Sequence, residues 1–348
     1  MVAELLARDM RPRAEVVTSS HCVEKPRFAA IDGHNHLPVP GNDHQRYRAD
    51  LLKTMDEAGV EMIVNLSGEF GDTLQTILEG YDRAAPGRFA TFCNVDWSGV
   101  GESGWEGRAC GQLRADIAAG ARGLKVFKSL GLTFRDTDGR LLMPDDPRIQ
   151  DVWAQAGALG VPVLIHSGDP VAFFRPLDGA NERWDELQRH PDWHFYGGDY
   201  PPFEALIESL YHTIESHPNT TFITAHVGCY PENLQFVSQM LDRYPNLNTD
   251  FSARIAELGR VPYSAREWFL KYADRIVFGT DVTPTVQAYR TYFRFLETRD
   301  EYMEYSEGAP IPPQGRWHIY GVHLPDTVLE KVYRLNIRKL LGLSTRQV

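Results

Sequence analysis

The sequence predicts an α/β protein: a single-domain (β/α)₈ TIM barrel whose long βα loops form a lid. Three observations carry this. Eight short apolar runs are spread along the 348 residues. Segments with helical spacing of their apolar residues fall between them. The runs themselves are apolar almost without interruption, the pattern of parallel strands covered on both faces. Strand–helix alternation of this kind builds a parallel sheet, and eight units close it into a barrel. A doubly wound open sheet is the competing arrangement, but no G-x-G-x-x-G follows the first run.

The strands are expected at 27–34 (RFAAIDGH), 61–68 (EMIVNLSG), 89–96 (FATFCNVD) and 122–128 (RGLKVFK). The second half repeats the pattern at 161–168 (VPVLIHSG), 220–228 (TTFITAHVG), 247–252 (LNTDFS) and 275–282 (RIVFGTDV). Between them, YRADLLKTMDEAGV has a 3.6-residue period and ends at Gly59, a suitable helix stop. PRIQDVWAQAGALG begins with Pro at an early helical position and also ends in Gly. PFEALIESLYHTIESHP and PENLQFVSQMLDRYP read the same way, and LPDTVLEKVYRLNIRKLLGL is an amphipathic closing helix. Three connections are too long for a minimal βα link: 129–145, 169–202 and 283–324. Each follows a strand C-terminus, where barrel active sites lie, so they are expected to act as lids and specificity elements. The domain plan is an N-terminal arm at 1–26, the barrel at 27–342 and a C-terminal tail at 343–348.

Composition narrows the function. A net charge of −11 and a pI near 5.6 argue against nucleic acid as a partner. No apolar stretch reaches the ~18 residues of a membrane span, and the first residues carry no signal-peptide core. Cys22, Cys93, Cys110 and Cys229 are widely spaced and form no C-x-x-C pair. That points to neither a zinc knuckle nor a disulfide framework, and fits a reduced, cytoplasmic setting. The expected partner is a small molecule. Barrels of this size commonly form homo-oligomers, but no segment here marks an interface.

The chemistry gathers at the strand ends. His34 and His36 lie two apart on the first strand, so they face the same way. The fourth strand contributes Lys125, the fifth His166, the sixth His226 and the eighth Asp281. Any one of these has an ordinary explanation, as a packed histidine or a turn aspartate. Five His and Asp residues at matching depth in matched elements is instead the composition of a divalent metal site. Lys128 falls on the opposite strand face unless a turn at Ser129 changes its direction. Arg175, Trp193, His194, Tyr230 and Arg254 sit in or after strand-end loops. Arg is the natural bidentate partner for a substrate carboxylate. Asp250 is placed to orient His226 or a water, or to cap a turn.

In this order, H-x-H, Lys, His, His and Asp resemble the amidohydrolase superfamily. The segments IDGHNHLP, ARGLKVFK, VPVLIHSGDP, TTFITAHVGCYPENL, RIVFGTDV and YRLNIRKLLGL resemble most its amidohydrolase-related branch, which includes aminocarboxymuconate-semialdehyde decarboxylase, resorcylate decarboxylases and lactone hydrolases. The likeness runs over roughly residues 27 to 342. It implies that His34, His36, His166 and Asp281 hold a divalent ion, Zn²⁺ first and Mn²⁺ as the alternative. It implies Asp281 as a base and His226 as an acid–base or electrophilic group. One ion is favoured. Two-metal relatives use the strand-six histidine, here His226, as a ligand and bridge the ions through a carbamylated strand-four lysine, here Lys125. The implied reaction is hydrolysis of an ester, lactone or amide in a small carboxylated substrate. Non-oxidative decarboxylation of an aromatic or unsaturated acid on the same site is the alternative. Arg175, Trp193, His194 and Arg254 are the expected substrate contacts.

Overall fold

In the computed structural model the residues described are 6, 9–10, 12, 14–306, 309 and 311–344. All but two residues of the expected tail, and part of the expected arm, lie outside them. All eight strands form, in the expected places and shorter than expected. They are β1 (Ala30–Asn35), β2 (Val60–Asn65), β3 (Phe89–Thr91), β4 (Leu124–Val126), β5 (Val163–Ile165), β6 (Phe222–Thr224), β7 (Leu247–Asp250) and β8 (Ile276–Val277). A helix follows each strand: α1 (His44–Ala58), α2 (Gly71–Leu78), α3 (Trp105–Ala119), α4 (Gln150–Ala158), α5 (Phe203–Ser216), α6 (Leu234–Arg243), α7 (Pro262–Lys271) and α8 (Val286–Glu297). α1 stops where expected, with Gly59 left-handed at φ 77° and its N–H bonded to the Met55 carbonyl.

Ladders run in parallel through β1-β2-β3 and through β4-β5-β6-β7-β8. Two seams join these sheets into a barrel. At β3/β4 a parallel bridge pairs Cys93 with Leu124, and Lys125 N–H donates to the Cys93 carbonyl at 2.8 Å. At β8/β1 the Gly33 N–H donates to Phe278 O at 2.8 Å and the Asp281 N–H to His34 O at 2.9 Å. This second seam demands glycine. A Cβ on Gly33 would lie 2.5 Å from Val277 Cγ1, and one on Gly279 would lie 2.4 Å from Ser252 Oγ and 2.8 Å from His34 Cβ. Gly279→Ala is therefore expected to destabilise the protein by about 1–3 kcal/mol through overpacking against backbone-anchored neighbours. A chemical-denaturation midpoint equal to wild type would contradict this.

Inward side chains fill the barrel. Ile31, Met62, Val64, Phe92, Leu164, Ile223 and Val277 form one cluster, plugged by Ile337 from the closing helical run of Asp326–Leu340 and by Leu341 just after it. Lys125 pairs in register with inward Leu164, so it also points inward, while its neighbours Leu124 and Val126 pack in the outer core. Desolvation at the far end of that layer shapes the polar residues described below.

The long connections are more ordered than their length suggests. The stretch 169–202 holds short helices at Val171–Phe174, Trp184–Arg189 and Pro191–Trp193, and arches over the barrel mouth. The stretch 283–324 is not a loop throughout. Its first part is α8, capped by Thr285 Oγ1 accepting from Ala288 N–H, with Tyr289, Tyr292, Phe293, Phe295 and Leu296 buried. Those aromatic residues bury one helical face, which explains the helix. The arm is tied to the end of α8 and the turn beyond: His21 N–H donates to Asp300 Oδ2 at 2.7 Å, and Arg294 bonds both Asp300 and Ser20.

Candidate metal centre

β1 meets the site through an irregularity. Ile31 faces the barrel core, and His34 is three residues on, which in a regular strand would put it on the opposite face. Register with β2 shows the remedy: Asp32 pairs with Ile63 and Asn35 with Asn65, so β1 carries one extra residue there. This bulge, at Gly33, shifts the phase so that His34 and His36 both enter the mouth. Asn35 and Asp32 point the other way. Asp32 is wholly buried and accepts from Thr280 N–H (3.0 Å), Thr280 Oγ1 (2.7 Å), Asn35 Nδ2 (2.9 Å) and Tyr289 OH (2.9 Å), riveting β1 to β8.

The ends of β6, β7 and β8 are bent sharply. His226, Val227, Gly228 and Cys229 all have positive φ, between 57° and 68°, and Ala253 and Asp281 are left-handed too, at 53° and 51°. Non-glycine residues in this region cost on the order of 1–3 kcal/mol each and persist where surroundings fix them. Asp250 does much of the fixing: its Oδ1 accepts from His226 N–H at 2.9 Å and Ser252 N–H at 3.0 Å. Gly228 N–H donates to Thr249 Oγ1 at 2.9 Å.

These turns bring the predicted residues together. The Asp281 carboxylate lies 3.8 Å from His34 Nε2, 3.7 Å from His36 Nε2 and 3.6 Å from His226 Nε2. Each ring has its other nitrogen engaged: His34 Nδ1 with Asp250 Oδ2 at 2.8 Å, His226 Nδ1 with Ser252 O at 2.7 Å, and His36 Nδ1 with Ser67 Oγ at 2.7 Å. A carbonyl and a carboxylate only accept. His34 and His226 therefore carry their hydrogen on Nδ1, and their Nε2 lone pairs face a carboxylate. Such a convergence of acceptors calls for a cation at its centre. The spacing suits one, since a tetrahedral ion with ~2.1 Å bonds sets donors about 3.4 Å apart. His34, His36 and Asp281 place one ligand atom each within 4.8 Å of one another. His34, His226 and Asp250 do so as well, but there the oxygens of Asp250 are already taken by the hydrogen bonds above.

Electrostatics agrees. Burial, followed by the Lys125 charge, lowers His36 to about 3 and holds His34 well below its usual value. Burial lowers His166 to about 4 and depresses His226 strongly, so the imidazoles stand neutral, as metal ligation requires. Burial raises Asp281 to about 6 against the pull of Lys125. The Lys125 ammonium, brought down to about 8 by burial, sits 3.4 Å from His34 Nε2.

His166 is adjacent, its ring 4.4 Å from that of His226, but its Nε2 turns to Asp169 Oδ1 at 3.2 Å. It does not share the tight grouping around Asp281. Asp169 Oδ2 in turn accepts from Lys128 at 2.5 Å. The turn after β4 has swung Lys128 into the mouth, off the strand face that regular alternation gives it.

A cavity of about 690 Å³ opens above, reaching His166, His226 and Asp281. Of the four expected substrate contacts it brings in two. Arg254 lines it, buried, with its Nη1 on its neighbour's carbonyl, Ala253 O, and Trp193 forms part of its wall. Arg175 and His194 lie outside. Arg175 pairs with Glu204 at 2.8 Å on an exposed surface, and His194 Nε2 bonds the Arg175 carbonyl. A different lid histidine, His190, lines the cavity, stacked 4.1 Å from Trp193. The sequence also did not single out Arg183, which is buried, bonds Glu186 of the lid helix at 2.9 Å and ties that helix to Glu257 in the short helix Ile255–Leu258 that follows β7.

A family model described as Amidohydrolase matches residues 31–343. No curated protein matches the chain. Among solved structures it is similar to an uncharacterized TIM-barrel protein from Bordetella bronchiseptica (16% identity, 90% of this chain and 98% of that one covered, TM-score 0.56). It is also similar to a 2,6-dihydroxybenzoate decarboxylase from Rhizobium (18% identity, 90% and 99% covered, TM-score 0.56). A third is a dihydroxybenzoic acid decarboxylase from Polaromonas sp. JS666 with bound manganese and the inhibitor 2-nitroresorcinol (15% identity, 90% and 97% covered, TM-score 0.55). At these identities the likeness establishes the TIM-barrel fold.

Proposed function

The chain belongs to the amidohydrolase family, and from that premise we propose that it is a metal-dependent hydrolase that cleaves an ester, lactone or amide bond in a small carboxylated molecule. One observation supports this above the rest: the Asp281 carboxylate stands within 3.8 Å of three imidazole Nε2 atoms at the floor of a cavity. His34, His36, His166 and Asp281 would hold the ion, Zn²⁺ by its affinity for imidazole sites, with Mn²⁺ the alternative. When bound, the ion supplies Lewis acidity to a substrate oxygen and to a water molecule.

The protein's own residues do the rest. Asp281 accepts the proton of the attacking water on its carboxylate. His226 Nε2, a lone pair 3.6 Å from Asp281, takes that proton from the carboxyl and passes it to the leaving group, its ring held by Ser252 O. Arg254 anchors a substrate carboxylate, and Trp193 bounds the group opposite. The unit that performs this is 27–342, with 1–26 as an arm and 343–348 as a tail. Among the described residues no helix is long and apolar enough to cross a membrane, and all four cysteines are free. The free thiols support a reduced, cytoplasmic setting.

The aromatic wall favours a second reading. Phe173 stacks on Trp193 with centroids 6.2 Å apart, and Trp193 stacks on His190, which suits a planar ring. On that reading the reaction is non-oxidative decarboxylation, with His226 or Asp281 protonating the ring carbon. A screen of metal-loaded enzyme with lactones, aryl esters and hydroxylated aromatic acids decides between them. Hydrolysed or ring-opened product is expected. Release of CO₂ with no hydrolysis establishes the second reading, and turnover that persists without divalent metal overturns both.

A further inference from the structure

We propose that Asp169, braced by Lys128, is the positioning residue that decides which nitrogen of His166 is offered to the metal centre. This rests on the reading above that His166 is a ligand.

The histidines divide into two patterns. His34, His36 and His226 each tie up Nδ1 and leave Nε2 toward Asp281. His166 is reversed, with Nε2 tied to Asp169 Oδ1 at 3.2 Å. Asp169 is 5% exposed, and both its oxygens are used. Oδ2 receives the Lys128 ammonium at 2.5 Å, so the carboxylate stays an acceptor and Oδ1 takes a hydrogen from His166 Nε2. The His166 lone pair is then on Nδ1. A carboxylate that accepts from the far nitrogen of a ligating imidazole fixes ring orientation and tautomer and raises its basicity.

Local chain geometry makes the arrangement reachable. Asp169 is three residues beyond His166 and directly precedes Pro170, which disfavours the helical region for it and holds it extended. Lys128 is fixed from above as well. Its ammonium lies 5.5 Å from the Trp193 ring centroid and 5.4 Å from that of Phe195, both in the lid. The His166 ring is thus linked through Asp169 and Lys128 to the aromatic wall of the substrate cavity. A plain structural ion pair between Lys128 and Asp169 would hold the lid equally well, but it would leave metal affinity and the His166 tautomer untouched.

Two measurements on the full chain test this. Zn²⁺ affinity is read by competition with a chromophoric chelator. The His166 tautomer is read from ring ¹⁵N shifts of histidine-labelled, metal-free protein, assigned with His166→Gln. Wild type is expected to carry the His166 hydrogen on Nε2. Asp169→Ala is expected to lose that preference and bind Zn²⁺ about 10–100-fold more weakly. Asp169→Asn keeps the shape if Asp169→Ala fails to fold. It is expected to lose about tenfold, because one amide oxygen cannot serve both donors. Lys128→Met should weaken binding less and add nothing on top of Asp169→Ala. A His166 hydrogen on Nδ1, or unchanged Zn²⁺ affinity in both Asp169 variants while His166→Ala binds weakly, overturns the proposal alone. Unchanged affinity in His166→Ala overturns the ligand reading beneath it.

Discussion

Asp281→Asn is expected to cut kcat by about 10²–10⁴-fold and, at pH 7–8, to stabilise the metal-free protein. The two effects share one cause. Asp281 is held in a left-handed turn, its N–H bonded to His34 O, so its carboxylate faces imidazole lone pairs rather than hydrogen-bond donors. Burial raises it to about 6, a figure that already includes the pull of Lys125. The sign follows from linkage. A carboxyl whose folded-state pKa is raised favours the folded state below its unfolded value of 3.8, and that contribution is lost as pH rises through about 6. Above that pH the charge is a liability of at most about 3 kcal/mol in the metal-free state. Asparagine removes the liability and the base together. Melting temperatures of metal-free wild type and variant, with kcat of the loaded forms, check it. A wild-type rate, or a metal-free variant less stable than wild type at pH 8, contradicts the role given to Asp281. The same reasoning puts the acid limb of wild-type activity no higher than about pH 6, because a bound cation lowers the carboxyl further.

Much of this was legible in the chain. Continuous β-branched and apolar runs marked the strands because parallel strands are buried on both faces, and the polar residue ending each run marked the mouth. Strand parity correctly paired His34 with His36 and put Lys125 inward. Parity failed where the backbone leaves regular geometry. Nothing in RFAAIDGHNH reports that Ile31 and His34 share a side, since that depends on an extra residue opposite β2. Lys128 falls on the wrong face until the turn after β4 redirects it. Asp250 was readable as a carboxylate placed to orient His226, a water or a turn; its bond to the His34 ring, and its grip on the His226 backbone, depend on the bend after β6. The lid was harder still. His190 and His194 lie in the same aromatic stretch, and only the short helices of 171–193 decide which one meets the cavity.

Stripping divalent ions with a chelator is expected to lower turnover by about 10³-fold or more, and readdition to restore it at one ion per chain. The magnitude follows from the several kcal/mol of charge stabilisation a bound cation supplies, at tenfold per 1.36 kcal/mol. The stoichiometry follows from the donors. His34 Nε2, His36 Nε2 and the Asp281 carboxylate point at one space, with His226 Nε2 on its edge. A second ion would need the oxygens of Asp250, but these already accept from His34 Nδ1, His226 N–H and Ser252 N–H. It would also need Lys125 as a carbamate. The Lys125 ammonium instead balances Asp281 and Asp250, the two carboxylates that hold its pKa up against burial. Lys125→Met is therefore expected to bind one ion still, with altered affinity. Elemental analysis of wild type showing two equivalents, falling to one in Lys125→Met, would replace the single-ion centre with a lysine-bridged pair.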